Sequence, residues 1–219
     1  MPATLTRITL NLRSHAARTD LGDVLLLHKT LMRLVPDHLG DQPRRRAGLL
    51  FRLDEEAADP VLLVQTADRP LLHALPARYG SHEQRDLTAM HHALTAGLPV
   101  RYRITAAPTV RPIATATPHP VTGKRRGRPR PLFGADALAW WHRQATGAGL
   151  DLHTATATAR TMRRNLNTDP PQPHPRIALA RFDGTATVTD PAALLDALST
   201  GIGRGKPYGA GLLTLAPAT

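Results

Sequence analysis

Apolar and polar positions alternate with period two over "TRITLNL" (6–12), the pattern of a strand with one buried face. The next patterned stretch, "DVLLLHKTLMRLVP" (23–36), has the helical period. Positions 21, 24, 25, 28, 31, 32 and 35 share one face, and all but His28 are Leu, Val or Met. Turn residues run from Pro36 to Pro43. "AGLLFRLD" (47–54) and "PVLLVQTA" (60–67) read as two strands joined through the acidic turn "DEEAAD". "HEQRDLTAMHHALTAG" (82–97) reads as a second helix, ended by Gly97 and Pro99, and "VRYRITAAP" (100–108) as a fourth strand.

The order strand, helix, two strands, helix, strand is that of the ferredoxin-like unit. The second half is patterned less clearly. A basic Pro/Gly-rich loop (118–131) leads into the helix "ADALAWWHRQATGAG", a Thr/Ala-rich stretch (151–162), a Pro-rich segment (169–175) and the hairpin-like "RIALARFDGTATVT". "DPAALLDALSTGIG" is a helix with Asp190 as N-cap and Pro191 in its first turn, and "GAGLLTLAP" closes as a strand. A second, degraded unit of the same kind can be read here, although no sequence repeat demands it.

Composition narrows the function. The 219 residues are 42% hydrophobic, enough for a sizeable core, and the formal net charge of +11 with a pI near 11.3 points to a polyanionic partner, nucleic acid first. Aromatics make up only 4%, which disfavours a sheet that stacks splayed bases and favours the phosphates and shape of a folded or duplex nucleic acid. With no cysteine, disulfides, thiolate metal sites and cysteine nucleophiles are excluded. No apolar run reaches the roughly 18 residues of a membrane span, and the first residues alternate like a strand instead of a signal peptide, so a cytoplasmic location is expected.

Several motifs fail on inspection. "HEQRD" (82–86) opens like a zinc-protease helix but has Asp86 where the second histidine belongs; His91 and His92 are neighbours and diverge on a helix. "GIGRGKPYGAG" (201–211) is no nucleotide-triphosphate loop, because Lys206 precedes Pro207 and Thr200 replaces the leading glycine; the dinucleotide fingerprint fails on spacing. It remains suited to pressing glycine backbone, Arg204 and Lys206 against a phosphodiester. "TGKRRGRPRPL" (122–132) holds Lys124, Arg125, Arg126, Arg128 and Arg130, too many like charges to bury, and suits a duplex groove or a phosphate backbone. His28, on its apolar stripe, reads alone as a hydrogen-bonded core residue. Its company suggests more: with Lys29 and Arg33 close by, it could move the 2′-hydroxyl proton or protonate a leaving 5′-oxygen while cations stabilise the charged phosphorane.

Taken together, "LLLHKTLMRLVPD", "VRYRITAAP", "GKRRGRPRPL", "WWHRQATGAGLDL" and above all "GIGRGKPYGAGLLTLAP" resemble the pre-crRNA-processing endoribonucleases of type I-E CRISPR systems, the CasE family, over nearly the whole length. The resemblance implies an α+β fold of two tandem ferredoxin-like (RRM-like) domains, 1–112 and 113–219. It implies a metal-independent endoribonuclease without cofactor, which cuts the CRISPR repeat stem-loop to make mature crRNA and stays bound to it beside the other Cascade subunits, a monomer outside that complex. His28 falls on the family's catalytic histidine, residues 124–130 on the segment that grips the RNA stem, and Lys206 in the loop near the cut. Two positions depart from the family. Leu25 stands where relatives carry tyrosine, so that hydroxyl's role is lost or supplied by Tyr208, Lys29 or Arg33; Ala107 stands where they often carry asparagine. The alternative function is a non-catalytic RNA-binding scaffold with His28 in its core.

Overall fold

The structure is a computed structural model and describes residues 3–56, 58–112, 129–163 and 176–218. Its first half runs β1 (Thr4–Leu10), α1 (His15–Gly22), α2 (Val24–Met32), α3 (Pro43–Arg46), β2 (Leu50–Asp54), β3 (Val61–Thr66), β4 (Gly80–Asp86) and α4 (Thr88–His92). Its second half runs β5 (Pro99–Ala106), β6 (Thr109–Val110), β7 (Arg130–Pro131), α5 (Gly134–Gly147), β8 (Leu150–Arg163), β9 (Arg176–Val188), α6 (Pro191–Thr200) and β10 (Leu213–Pro217). Two antiparallel sheets result, ordered β2-β3-β1-β4 and β10-β5-β9-β8, while β6 and β7 pair as a short ribbon. Each four-stranded order is that of a ferredoxin-like sheet, so the tandem α+β architecture holds.

Three elements differ from the sequence reading. Residues 82–97 are not a helix: 80–86 are the edge strand β4, paired with β1 from Thr4↔Asp86 to Leu10↔Gly80, and only 88–92 are helical. An edge strand exposed on both faces carries no apolar alternation, so its polar residues leave no strand signal. The strand at 99–106 is the first strand of the second sheet, between β10 and β9. A division at 112 would separate β5 from the sheet in which it pairs; the change of sheet falls between Asp86 and Pro99. Residues 176–188 are one strand, not a hairpin. Gly184, which with Asp183 has the composition of a turn, lies mid-strand where a Cβ would collide with the Thr154 carbonyl and the Tyr102 hydroxyl, next to the register shift between Leu152 and Thr154.

Each sheet buries one face. The first core gathers Ile8, Leu10, Leu27, Leu31, Leu62 and Phe51, and the second Trp141, Phe182, Tyr102, Ile104, Leu150 and Leu198. Burial of each such side chain contributes roughly 1.5–3 kcal/mol over exposure. In the second core Trp141 stacks on Phe182, centroids 5.5 Å apart, and tilts against Tyr102 at 5.4 Å. The aromatics are therefore used inside: only Phe133 and Tyr208 escape the buried set.

Polar contacts, those of Arg52 and Gln65 buried and those of Glu56 at the surface, join the two sheets. Arg52 on β2, 3% exposed, pairs with Asp54 at 2.9 Å and donates to the Arg103 carbonyl (3.1 Å) and the Thr214 hydroxyl (2.8 Å) of the second sheet. Gln65 on β3 donates to the Leu198 carbonyl of α6 at 2.6 Å. Glu56 pairs with Arg103, Arg160 and Arg181, two of which also bind Asp183. These ties set the loop between α6 and β10 against α2 and β2.

Candidate functional site

Helix α2 begins at Asp23, whose carboxylate accepts from the Leu25 amide at 2.9 Å, so the N-cap fixes where the helical faces start. Val24, Leu27 and Leu31, followed by Leu34, turn into the first core, while Leu25, His28 and Met32 are only partly buried. The core-facing stripe is therefore one residue round from the one the spacing suggests, because 26, 27 and 34 are also leucines and periodicity alone cannot choose. His28 sits at the border of the core. Its ring lies 22° from parallel to that of Phe51 with centroids 6.4 Å apart, and Nδ1 is buried without a hydrogen-bond partner among the described residues. Burial first, then the charge of Arg44, holds its pKa below the usual imidazole value, which favours the neutral ring that can accept a proton.

His28 lines a cavity with Met32, Pro43, Arg44, Arg45 and Pro207. Arg44 and Arg45 come from α3, the short helix that leads into β2, and Arg44 Nη1 is tied to the Leu49 carbonyl at 3.0 Å. The same two arginines line a second cavity with Ser199, Thr200 and Lys206. No carboxylate is among the described residues that line either one.

Lys206 arrives on the glycine-rich loop, in a 3-10 turn spanning Lys206–Tyr208. The loop is rich in glycine because it presses on β2 in a left-handed conformation. Gly209 (φ 76°) would put a Cβ 3.0 Å from the Phe51 ring, and Gly201 (φ 75°) would put one 2.8 Å from Leu50. Lys206 Nζ donates to the Gly203 carbonyl at 2.7 Å, and burial, then Arg44 and Arg45, lower its pKa. Tyr208 packs against the first core.

Of the residues singled out from sequence, the fold brings Lys206 and Tyr208 into the loop that packs on α2 and β2, with Pro207 between them in the wall of the His28 cavity. Lys29 and Arg33 are exposed on α2 and line neither cavity, and Arg204 is exposed in the loop. Arg130 is exposed on β7, whereas Lys124, Arg125, Arg126 and Arg128 lie outside the described residues. Sequence reasoning missed Arg44 and Arg45, although "PRRRAG" (43–48) is a run of like charge that must be solvated or bound. Ala107, where asparagine was expected, is buried with Leu179 and Ala210, 3.4 Å from a Cβ built on Gly205, and so supports the loop.

The family model described as CRISPR associated protein matches residues 5–217. The CRISPR-associated endoribonuclease Cse3 of Thermus thermophilus is 32% identical, over 97% of this chain and 99% of its own. A solved structure of the CRISPR endoribonuclease Cse3 bound to 19-nucleotide RNA superposes with a TM-score of 0.85 at 28% identity, covering 99% of this chain and 100% of that one. A subunit of a CRISPR RNA-guided surveillance complex, captured before nicking, is 35% identical with a TM-score of 0.68, over 98% of this chain and 99% of its own.

Proposed function

The chain belongs to the CRISPR-associated protein family, and on that premise we propose that it is an endoribonuclease that cleaves the CRISPR repeat stem-loop to make mature crRNA and keeps hold of the product. The observation that carries the reading is the His28 cavity: a half-buried imidazole, its pKa lowered by burial and then by Arg44, faced by cations with no described carboxylate among them. Such a site suits a phosphodiester.

In the reaction the 2′-hydroxyl gives up its proton, its oxygen bonds to phosphorus, and the bond to the 5′-oxygen breaks as that oxygen takes a proton. The products are a 2′,3′-cyclic phosphate, opening to a 3′-phosphate, and a 5′-hydroxyl. His28 moves one of these protons. The neutral ring of the free protein accepts, and an arriving phosphate, by its negative charge, raises the ring's proton affinity toward a donor's. Lys206 balances charge on the phosphate, with Lys29, Arg33 and Tyr208 in assisting places. Arg204, Arg130 and Lys124, Arg125, Arg126 and Arg128 hold the RNA stem. Metal independence is part of this proposal. By likeness to the surveillance-complex subunit, the chain joins the other Cascade subunits; outside that complex the proposal makes it a monomer. The proposed place of this work is the cytoplasm; no helix among the described residues is long and apolar enough to cross a membrane.

The stacking of His28 on Phe51 favours a second reading, a non-catalytic RNA-binding scaffold in which the imidazole only completes the core. Cleavage of the chain's own repeat RNA in EDTA separates the two. Specific cutting with cyclic-phosphate ends supports the enzyme, and tight binding without any cut supports the scaffold.

A further inference from the structure

Three positive side chains from two distant parts of the chain converge between α2 and the glycine-rich loop. Arg44 and Arg45 lie in the walls of both cavities, with His28 in one and Lys206 in the other. Arg46, next in the run, is turned away: its Nη1 donates to the Leu39 carbonyl at 2.9 Å and it lines a different hollow with Leu34 and Pro70. Arg44 is partly buried and Arg45 exposed, so Arg44 is the more desolvated of the pair. Its Nη1 is held by the Leu49 carbonyl, and its Nε and Nη2 have no partner among the described residues. A guanidinium fixed by one nitrogen with its other edge open is a preorganised fork for an anion's oxygens. The cluster also repels itself. Burial, then Arg45, lowers the pKa of Arg44, and burial, then Arg44, lowers that of Lys206. An entering anion would relieve this repulsion.

We infer that Arg44 is a further catalytic residue of this site, whose open guanidinium edge grips the non-bridging oxygens of the scissile phosphate between His28 and Lys206. The inference rests on the RNA-cleavage reading of the His28 cavity. As the 2′-oxygen bonds to phosphorus and before the 5′-oxygen leaves, negative charge gathers on the non-bridging oxygens; a cation already in place meets it without reorganising. Ser199 and Thr200 donate their hydroxyl protons to the Leu195 (2.7 Å) and Asp196 (2.9 Å) carbonyls, so they face the second cavity as acceptors, suited to a ribose hydroxyl beside the gripped phosphate.

The charged and titratable groups on the elements packed against α2 are Arg44, Arg45 and the outward-turned Arg46 on α3, Arg204, Lys206 and Tyr208 on the loop, Arg52 and Asp54 on β2, and His15, Arg18 and Asp20 on α1. Among them Arg44 is the one whose charge bears on His28. Arg44→Gln should therefore slow single-turnover cleavage of the chain's own repeat stem-loop by roughly 10² to 10³, the usual worth of one preorganised donor to the reacting phosphate or carbonyl oxygen. Affinity for the same RNA carrying a 2′-deoxy nucleotide at the cut should change by less than about tenfold, and the His28 NMR titration midpoint should rise because a neighbouring cation is gone. Arg44→Lys keeps the charge without the fork, so it should leave that midpoint near wild type and restore only part of the rate. A folded Arg44→Gln that cuts at the wild-type rate, or whose rate loss equals its affinity loss, overturns the inference. In wild type, the 2′-deoxy RNA should shift the Arg44 Nε–H resonance, and an unmoved resonance overturns it even if no variant folds. His28→Ala is the reference: if it cuts normally the cleavage reading of the site fails, and if it is slow while Arg44→Gln is fast only this inference fails.

Discussion

The rings of His28 and Phe51 lie near parallel and offset, 6.4 Å between centroids, so the imidazole neighbours a ring that is itself 1% exposed in the first core. Gly209 of the glycine-rich loop comes against the same ring. Phe51 thus holds one side of the site from beneath, and the cations approach from α3 and the loop.

His28→Ala should leave binding of the repeat stem-loop near wild type and slow cleavage by roughly 10² to 10⁴, the range for a positioned acid or base. Half-buried at the core's border, the side chain should take little stability with it when removed. Melting temperature, RNA affinity and single-turnover rate on one preparation decide the matter; a folded variant that cuts at full rate ends the catalytic role.

Phe51→Ala should destabilise the fold by about 3–5 kcal/mol, the usual loss for a fully buried phenylalanine. It should lower RNA binding only in proportion to the folded protein lost, since the ring faces the core and is no stacking platform. Denaturant unfolding followed by affinity at a temperature where the variant is folded tests this. A selective loss of binding would contradict it.

Because burial and Arg44 depress the folded-state pKa of His28, the unfolded chain takes up its proton at a higher pH than the folded one. This group's contribution to stability is thus full above the ordinary imidazole pKa of about 6.5 and is lost as pH falls through the lower folded value. Wild type should therefore lose more stability than His28→Gln between neutral and mildly acidic pH. Parallel curves of unfolding free energy against pH would show that the imidazole is not desolvated.

Arg52→Ala should cost about 3 kcal/mol or more, because it leaves Asp54 unpaired and strips donors from the Arg103 carbonyl and the Thr214 hydroxyl. The sheets should also begin to unfold separately. Calorimetry checks this: a single transition at the wild-type temperature would mean that Arg52 does not clasp the two halves.

Neutralising Lys124, Arg125, Arg126, Arg128 and Arg130 together should weaken RNA binding and flatten its salt dependence, by about 0.7–0.9 in log-log slope for each phosphate that no longer meets a cation. Affinity measured across a salt series reads this directly. An unchanged slope would make the segment a solvated insertion.

Local features were readable in the chain. The helix within 23–36, the Asp190 cap, the strand within 60–67 and the helix within 190–203 depend on residues a few positions apart, and each formed, with bounds shorter than the pattern suggests. The glycines of 201–211 announce a loop of unusual backbone, and they are left-handed where a Cβ would meet Phe51 or Leu50. Partnership was not readable. Side-chain periodicity reports which face is buried, and β4 buries none, being held chiefly by its backbone pairing with β1. β5 has the pattern of a strand in either sheet, and only its pairing with β9 and β10 assigns it. The meeting of His28, Arg44 and Lys206 likewise spans most of the chain, and it arises because Arg52, Gln65 and the Glu56 cluster fix one sheet against the other. Backbone pairing and interdomain contact join residues far apart in sequence, and no local periodicity encodes which distant partner a strand or a cation will meet.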